Sequence, residues 1–183
     1  MKTDDVIGRA KRFATNAHKG QFLKNAKADP FITHPAQVAA LVEESGATRD
    51  ETAAAWLHDI VEDTSVTIED IKITFGNEIA EIVDGLTDPI HYAGHPNKVR
   101  KSWQAERVAD KNASVKRVKI ADQTVNTEMI STNPPVGWDL NQRLEYVEGA
   151  RLIALNCAGV SDKLDAIFED AYQKAFAVLR KKI

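Results

Sequence analysis

Between Thr52 and Asp63 the chain reads Thr-Ala-Ala-Ala-Trp-Leu-His-Asp-Ile-Val-Glu-Asp. From Ala53 to Val61 this segment is apolar on almost every side of a helix, the mark of a helix enclosed by others. Four ionisable residues sit in or beside it: His58, Asp59, Glu62 and Asp63. On one continuous helix His58/Glu62 and Asp59/Asp63 are i,i+4 pairs and Asp59/Glu62 is an i,i+3 pair, so all four project around one end. Carboxylates this close repel, and burying them unpaired costs on the order of several kcal/mol. A divalent cation is the simplest compensation, because it accepts oxygen and imidazole donors together. Glu62 and Asp63 alone fit a helix end whose acids face water. His58-Asp59, set between Trp56-Leu57 and Ile60-Val61, does not fit that description.

The rest of the chain is helical in pattern. Val6, Ala10, Phe13, Ala14 and Ala17 form the stripe of an amphipathic first helix. Pro35 suits the first turn of a second, which carries Val38, Leu41 and Val42 inward and stops at Gly46. Thr48-Arg49-Asp50-Glu51 reads as a capping box opening the enclosed helix, and Thr67 caps the next, closed by Gly76. A short helix spans 78–86, and residues 87–96, with two prolines and a glycine, form a loop. Helices are expected over 98–110, 114–130 and 140–157, broken at 133–137, with Ser161 capping a last one. No alternating strands and no repeat are present. The expected fold is all-α, a single-domain helical bundle spanning 1–183.

Composition sets the remaining bounds. At 183 residues, 43% hydrophobic and 28% charged, the chain is one ordinary globular domain. The 24 Lys+Arg against 27 Asp+Glu argue against a chain-wide grip on nucleic acid. One cysteine, Cys157, excludes an intramolecular disulfide and a thiolate cage. No apolar run is long enough for a bilayer, and the N-terminus lacks a signal-peptide pattern, so a cytoplasmic protein is expected.

A cation needs more ligands than His58 and Asp59. His34, just before a helix-starting proline, and Asp122, an acid interrupting the apolar run Val118–Ala121, are the further candidates. Two histidines and two aspartates make a donor set of borderline hardness, suited to Mn²⁺, Fe²⁺ or Zn²⁺ and leaving room for water and a phosphate oxygen. Asn126 lies one turn beyond Asp122 and can face the same cleft. Lys98, Arg100 and Lys101 read best as an exposed helix face, with charge for a polyphosphate as the alternative. His18 reads as structural, and His91 and His95 as loop residues.

These residues, in this order, resemble the HD-domain metal-dependent phosphohydrolases. More narrowly they resemble the hydrolase domain of the RelA/SpoT alarmone enzymes and its small stand-alone, Mesh1-like relatives. The resemblance rests on Ala17-His18-Lys19-Gly20-Gln21, Pro30-Phe31-Ile32-Thr33-His34-Pro35, Leu57-His58-Asp59-Ile60-Val61-Glu62-Asp63-Thr64, Phe75-Gly76, Ile82–Thr87, and Lys119-Ile120-Ala121-Asp122 with Asn126. It extends from the first helix to Tyr146 and implies the small, single-domain form. It implies that His34, His58, Asp59 and Asp122 bind one Mn²⁺ and that Glu62 and Asp63 position and deprotonate water. It further implies that Lys24, Asn126 and Tyr146 contact substrate. The implied reaction removes the 3′-pyrophosphate of guanosine 3′,5′-bis(diphosphate) or its pentaphosphate form, ending or tuning a stringent response. The implied partner is a small nucleotide, with neither nucleic acid nor membrane; a homo-oligomer is left open.

Three positions depart from the family pattern. Leu23 stands where relatives carry a second basic residue against the purine, and an aliphatic chain makes neither a cation–π contact nor a charged hydrogen bond. Gln123-Thr124-Val125 replaces a more usual Arg-Leu-Asp-type spacer, and Phe31 replaces a commoner tyrosine. Reaction type therefore carries over more firmly than base identity. An adenine alarmone, or another 2′- or 3′-phosphorylated nucleotide such as NADPH, is the alternative substrate.

Overall fold

The computed structural model describes residues 5–181. Its first helix, α1 (Val6–Ala17), buries Ala10 and Ala14 along the expected stripe. After a loop over 18–32 come α2 (Thr33–Glu44) and α3 (Arg49–Leu57). At the start of α3 the Thr48 side chain accepts from the Glu51 amide, while the Glu51 carboxylate accepts from the Thr48 N–H at 2.7 Å. That reciprocal cap satisfies two amides that the first turn leaves without partners.

The enclosed helix does not run on to Asp63. It stops at Leu57 and resumes as the four-residue α4 (Ile60–Asp63), with Asp59 at φ −97°, ψ −4°. The His58 ring explains part of this end: Nδ1 donates to the Ala55 carbonyl at 2.8 Å, satisfying one of the last carbonyls of α3. An apolar stripe that encircles the helix carries no signal of such a break, because every register is equally buried.

Thr67 and Asp70 form the expected cap of α5 (Ile68–Phe75), and Gly76, at φ +96°, turns directly into α6 (Asn77–Leu86). The proline-rich loop holds one 3₁₀ turn, Ile90–Tyr92. Then follow α7 (Asn97–Ala109), α8 (Ala113–Thr132), α9 (Leu140–Cys157) and α10 (Asp162–Arg180). Asn112, Asp139 and Ser161 cap the last three. No strand is formed among the described residues; an isolated bridge, Phe22 with Pro30, closes the 18–32 loop on itself, and a second, Asn25 with Pro135, staples it to the α8–α9 connection. The expected all-α, single-domain bundle is thus the observed one.

Helix α8 is the axis of the molecule, packing against α2, α3, α6, α9 and α10. It touches α6 closely: a Cβ on Gly85 would stand 2.5 Å from a methyl of buried Val115. Helix α3 is the second enclosed element, between α1, α2 and α6, with Ala53, Ala54, Ala55 and Leu57 fully buried. The 18–32 loop, α4 and the 87–96 loop cover the end at which these two central helices converge. No described helix is long and apolar enough to cross a membrane.

Candidate metal centre

Three segments bring four donors to one point. His34 enters from the first turn of α2, His58 and Asp59 from the break after α3, and Asp122 from the middle of α8. His34, His58 and Asp122 are buried at 5%, 3% and 5% exposure. His34 Nε2 lies 3.2 Å from His58 Nε2, 3.5 Å from an Asp59 oxygen and 3.3 Å from Asp122 Oδ1. His58 Nε2 lies 3.1 Å from the same Asp59 oxygen and 3.8 Å from Asp122 Oδ1. Bonds of about 2.1 Å to a single cation would set neighbouring donors about 3.0 Å apart at right angles and about 3.4 Å apart at the tetrahedral angle. The three edges among His34, His58 and Asp59, 3.1–3.5 Å, match that scale, and Asp122 stands beside them at 3.3 Å from His34 and 3.8 Å from His58. Because His58 Nδ1 faces a carbonyl, the neutral ring keeps its lone pair on Nε2, the atom aimed at this point. The donor set therefore fits a divalent cation.

The electrostatics point the same way. Burial works against the charged form of His58, yet the Asp59 and Asp122 carboxylates hold its pKa up at about 9. Burial likewise opposes ionisation of Asp59 and Asp122, but both stay below the usual carboxylate range, Asp59 through His58 and Asp122 through Lys119 and His34. A divalent cation at this point would supply the positive charge that the two carboxylates favour.

Glu62 and Asp63 stand on α4 at the rim. Glu62 is pushed up to about 7, first by desolvation of its carboxyl and then by Asp59 and Asp88. Its Oε1 accepts from the Asp88 amide at 2.8 Å. Asp88 is itself held by Gln104 and by Arg100, whose guanidinium lies 3.4 Å away. Asp63 is also raised, by desolvation and then by Asp59. Its carbonyl accepts from Gln21 Nε2 at 2.7 Å, and Gln21 in turn bonds the buried His18 ring at 2.7 Å, so His18 is structural as expected. His91 and His95 lie in the 87–96 loop, packed with Trp103.

The cluster opens into a 240 Å³ cavity that also takes in Glu62, Asp63, Asn126 and Tyr146. A 540 Å³ cavity adjoins it, walled by Phe22, Leu23, Phe31, Met129 and Pro135, with Lys24 and Arg100 at its edge. Asn126 donates to Asp122 Oδ1 at 2.6 Å. Tyr146 lines both cavities, whereas Lys24, exposed, reaches only the second. All nine residues singled out in the sequence thus gather at one end of the bundle.

Three neighbours were not assigned to the site from the sequence. Lys119 lies 3.4 Å from Asp122 Oδ2, and its i,i+3 spacing was the available signal. Arg100 lines both cavities and a third, of 570 Å³, between α4 and the 87–96 loop. Lys101 was read as part of an exposed face and is instead 5% exposed, its stem enclosed by α9 and its nitrogen bonded to Gln123.

Residues 10–144 match the family model described as HD domain. The guanosine-3′,5′-bis(diphosphate) 3′-pyrophosphohydrolase MESH1 of Xenopus tropicalis is 33% identical over 171 residues, covering 90% of this chain and 94% of the relative. Its Homo sapiens counterpart is 29% identical over 164 residues, covering 88% of this chain and 90% of that protein. The solved structure of a metazoan orthologue of SpoT that hydrolyses ppGpp superposes with a TM-score of 0.87 over 95% of this chain and 97% of its own, at 24% identity. An HD domain implies a divalent cation, and His34, His58 and Asp59 cluster closely enough to hold one. The HD domain match over residues 10–144 and the 33% identity to a MESH1 protein along nearly the whole chain make this chain a member of the HD domain family, in the group that contains the MESH1 proteins.

Proposed function

We propose that this chain hydrolyses the 3′-pyrophosphate of guanosine 3′,5′-bis(diphosphate) or its pentaphosphate form, giving GDP or GTP and pyrophosphate. In this reading residues 1–183 are one hydrolase domain working in the cytoplasm, with one Mn²⁺ held by His34, His58, Asp59 and Asp122. The observation that carries it is the convergence of two imidazoles and two carboxylates at 3.1–3.8 Å, beside two further acids and a nucleotide-sized cavity. Two nitrogens and two oxygens of borderline hardness suit Mn²⁺. When bound, such a cation supplies positive charge to a phosphoryl oxygen and acidifies a water.

The protein's own groups do the rest. Glu62, its carboxyl made more basic by desolvation and the neighbouring acids, accepts a proton from the attacking water, and Asp63 orients it across the rim. Lys24 offers a point charge to phosphate at the mouth of the larger cavity, and Arg100 a planar one where the cavities meet. Asn126 is fixed by Asp122 with its carbonyl left to accept from a ribose hydroxyl. Tyr146 forms a wall for the nucleotide. Water adds to the inner phosphorus of the 3′-pyrophosphate, the bond from that phosphorus to the ribose 3′-oxygen breaks, and the proton from water ends on the 3′-oxygen.

Phosphorus NMR of the purified protein with Mn²⁺ and ppGpp tests this. Pyrophosphate and GDP are expected, with label from ¹⁸O-water in the pyrophosphate. No pyrophosphate release from any bis-diphosphate substrate overturns the reading.

One observation favours a second substrate. Leu23 contributes only methyls to the larger cavity, and the neighbouring Asn25 amide is engaged by Asp29 at 3.0 Å. A wall of that kind accepts a purine without reading its edge, which admits an adenine alarmone or NADPH. Parallel turnover of ppGpp, ppApp and NADPH separates these substrates.

A further inference from the structure

Lys101 projects from α7 into the bundle at 5% exposure. Its Nζ donates to Gln123 Oε1 at 2.6 Å, and Gln123 Nε2 donates in turn to Asp122 Oδ2 at 2.7 Å. The same nitrogen stands 4.0 Å from the centre of the Tyr146 ring. The stem passes over α9 at Gly149, where a Cβ would lie 2.6 Å from Lys101 Cβ and 2.7 Å from Cγ. Helix α9 is bare where the lysine crosses it.

The order of donors in this chain has a consequence. A glutamine amide can present either its oxygen or its nitrogen to a neighbour. A lysine nitrogen always carries N–H donors, as ammonium or as amine, so Gln123 must turn its oxygen to Lys101 and its NH₂ to Asp122. Asp122 Oδ2 is then occupied by Gln123 and by Lys119 at 3.4 Å. Oδ1, which accepts from Asn126 at 2.6 Å, is the oxygen facing the two imidazoles.

We propose that Lys101 is a positioning residue that, through Gln123, fixes the orientation of the Asp122 carboxylate so that one oxygen is held back by Gln123 and the other faces the cation, and that it ties this orientation to the Tyr146 wall of the nucleotide cavity. It touches no reacting atom. The inference rests on the reading of Asp122 as a ligand, and its test separates the two.

Mn²⁺ alone is titrated calorimetrically into metal-stripped protein, with a thermal unfolding curve for each variant. Lys101→Met keeps the stem and removes the donors. Its Mn²⁺ dissociation constant is expected to rise about 10- to 100-fold with the melting temperature held or raised. Gln123→Met should match it, and the double variant should be no worse than either single one, because both remove the same link. Gly149→Ala keeps every polar atom but sets a Cβ 2.6 Å from Lys101 Cβ, so α7 and α9 must part and Mn²⁺ should weaken in the same direction with a lower melting temperature. Gln123→Met, close in volume to the native residue, carries the test where Gly149→Ala folds poorly. A merely structural lysine would lower the melting temperature and leave the affinity alone. Lys101→Met and Gly149→Ala at wild-type affinity, with Asp122→Asn unable to bind, overturn the relay alone. Asp122→Asn at wild-type affinity overturns the ligand reading and the relay with it.

Discussion

Two helices meet at the candidate metal centre, α8 continuous through it and α3 broken at it. On α8 a single acid, Asp122, reaches the centre, and its partners Lys119, Gln123 and Asn126 come from the same helix. On α3 two consecutive residues reach it, which a regular helix forbids because neighbours point about 100° apart. The turn at Asp59 removes that restriction and sets His58 Nε2 3.1 Å from an Asp59 oxygen. A continuous helix supplies one candidate ligand with its counter-charge already in place. A broken one supplies two, but their alignment depends on what packs beside the break, here Leu57 and Ile60, both fully buried.

The largest effect should come from the broken side. His58→Ala removes a donor and the support of the helix end together, so stoichiometric Mn²⁺ binding should vanish and turnover fall on the order of 10³-fold or more. Retained metal in elemental analysis of the variant would show that the break is not the ligand platform. Next is Glu62→Gln, expected to lower kcat by about 10²- to 10⁴-fold. Ionised Glu62 is the active form and is lost as pH falls through about 7, so wild-type kcat/KM should decline on that acid side and the variant should lack the limb. A bound cation draws this limb to lower pH, and a pH profile at saturating Mn²⁺ measures it.

A third test weighs the two helices directly. Leu57→Ala beside the break and Ile130→Ala at the far end of α8 should each cost about 2–5 kcal/mol in urea unfolding, since both side chains are fully enclosed. Only Leu57→Ala should also weaken Mn²⁺ binding; equal effects would show that the break is rigid without its packing. The smallest effect is Thr48→Ala at the opposite end of α3, about 1 kcal/mol of stability with turnover unchanged.

Much of this was legible because helix ends announce themselves chemically. Thr48, Thr67 and Ser161 cap where their sequence contexts predict, and Gly76 closes α5 with a left-handed turn. The candidate ligand set was legible because acids and histidines in apolar runs need a reason to be there. The break at His58-Asp59 was not, since uniform burial erases the periodicity that would have marked it. Nor was Lys101, which sits in a polar stretch of α7; its burial depends on Gly149, forty-eight positions on. Asp88 escaped notice for a similar reason, because its backbone amide rather than its side chain meets Glu62.

The amide of Gln21 holds the carbonyl of Asp63, yet Leu23, two residues later, faces the neighbouring cavity. Gln21 and Asp63 line that cavity too, so the anchor of α4 and the aliphatic wall stand side by side in one loop, joined to α4 through residue 21. Under the proposed function, exchange at residue 23, whose side chain makes no bond to α4, is expected to retune substrate preference without loosening Asp63. Such a loop lets selectivity drift while the reaction stays constant.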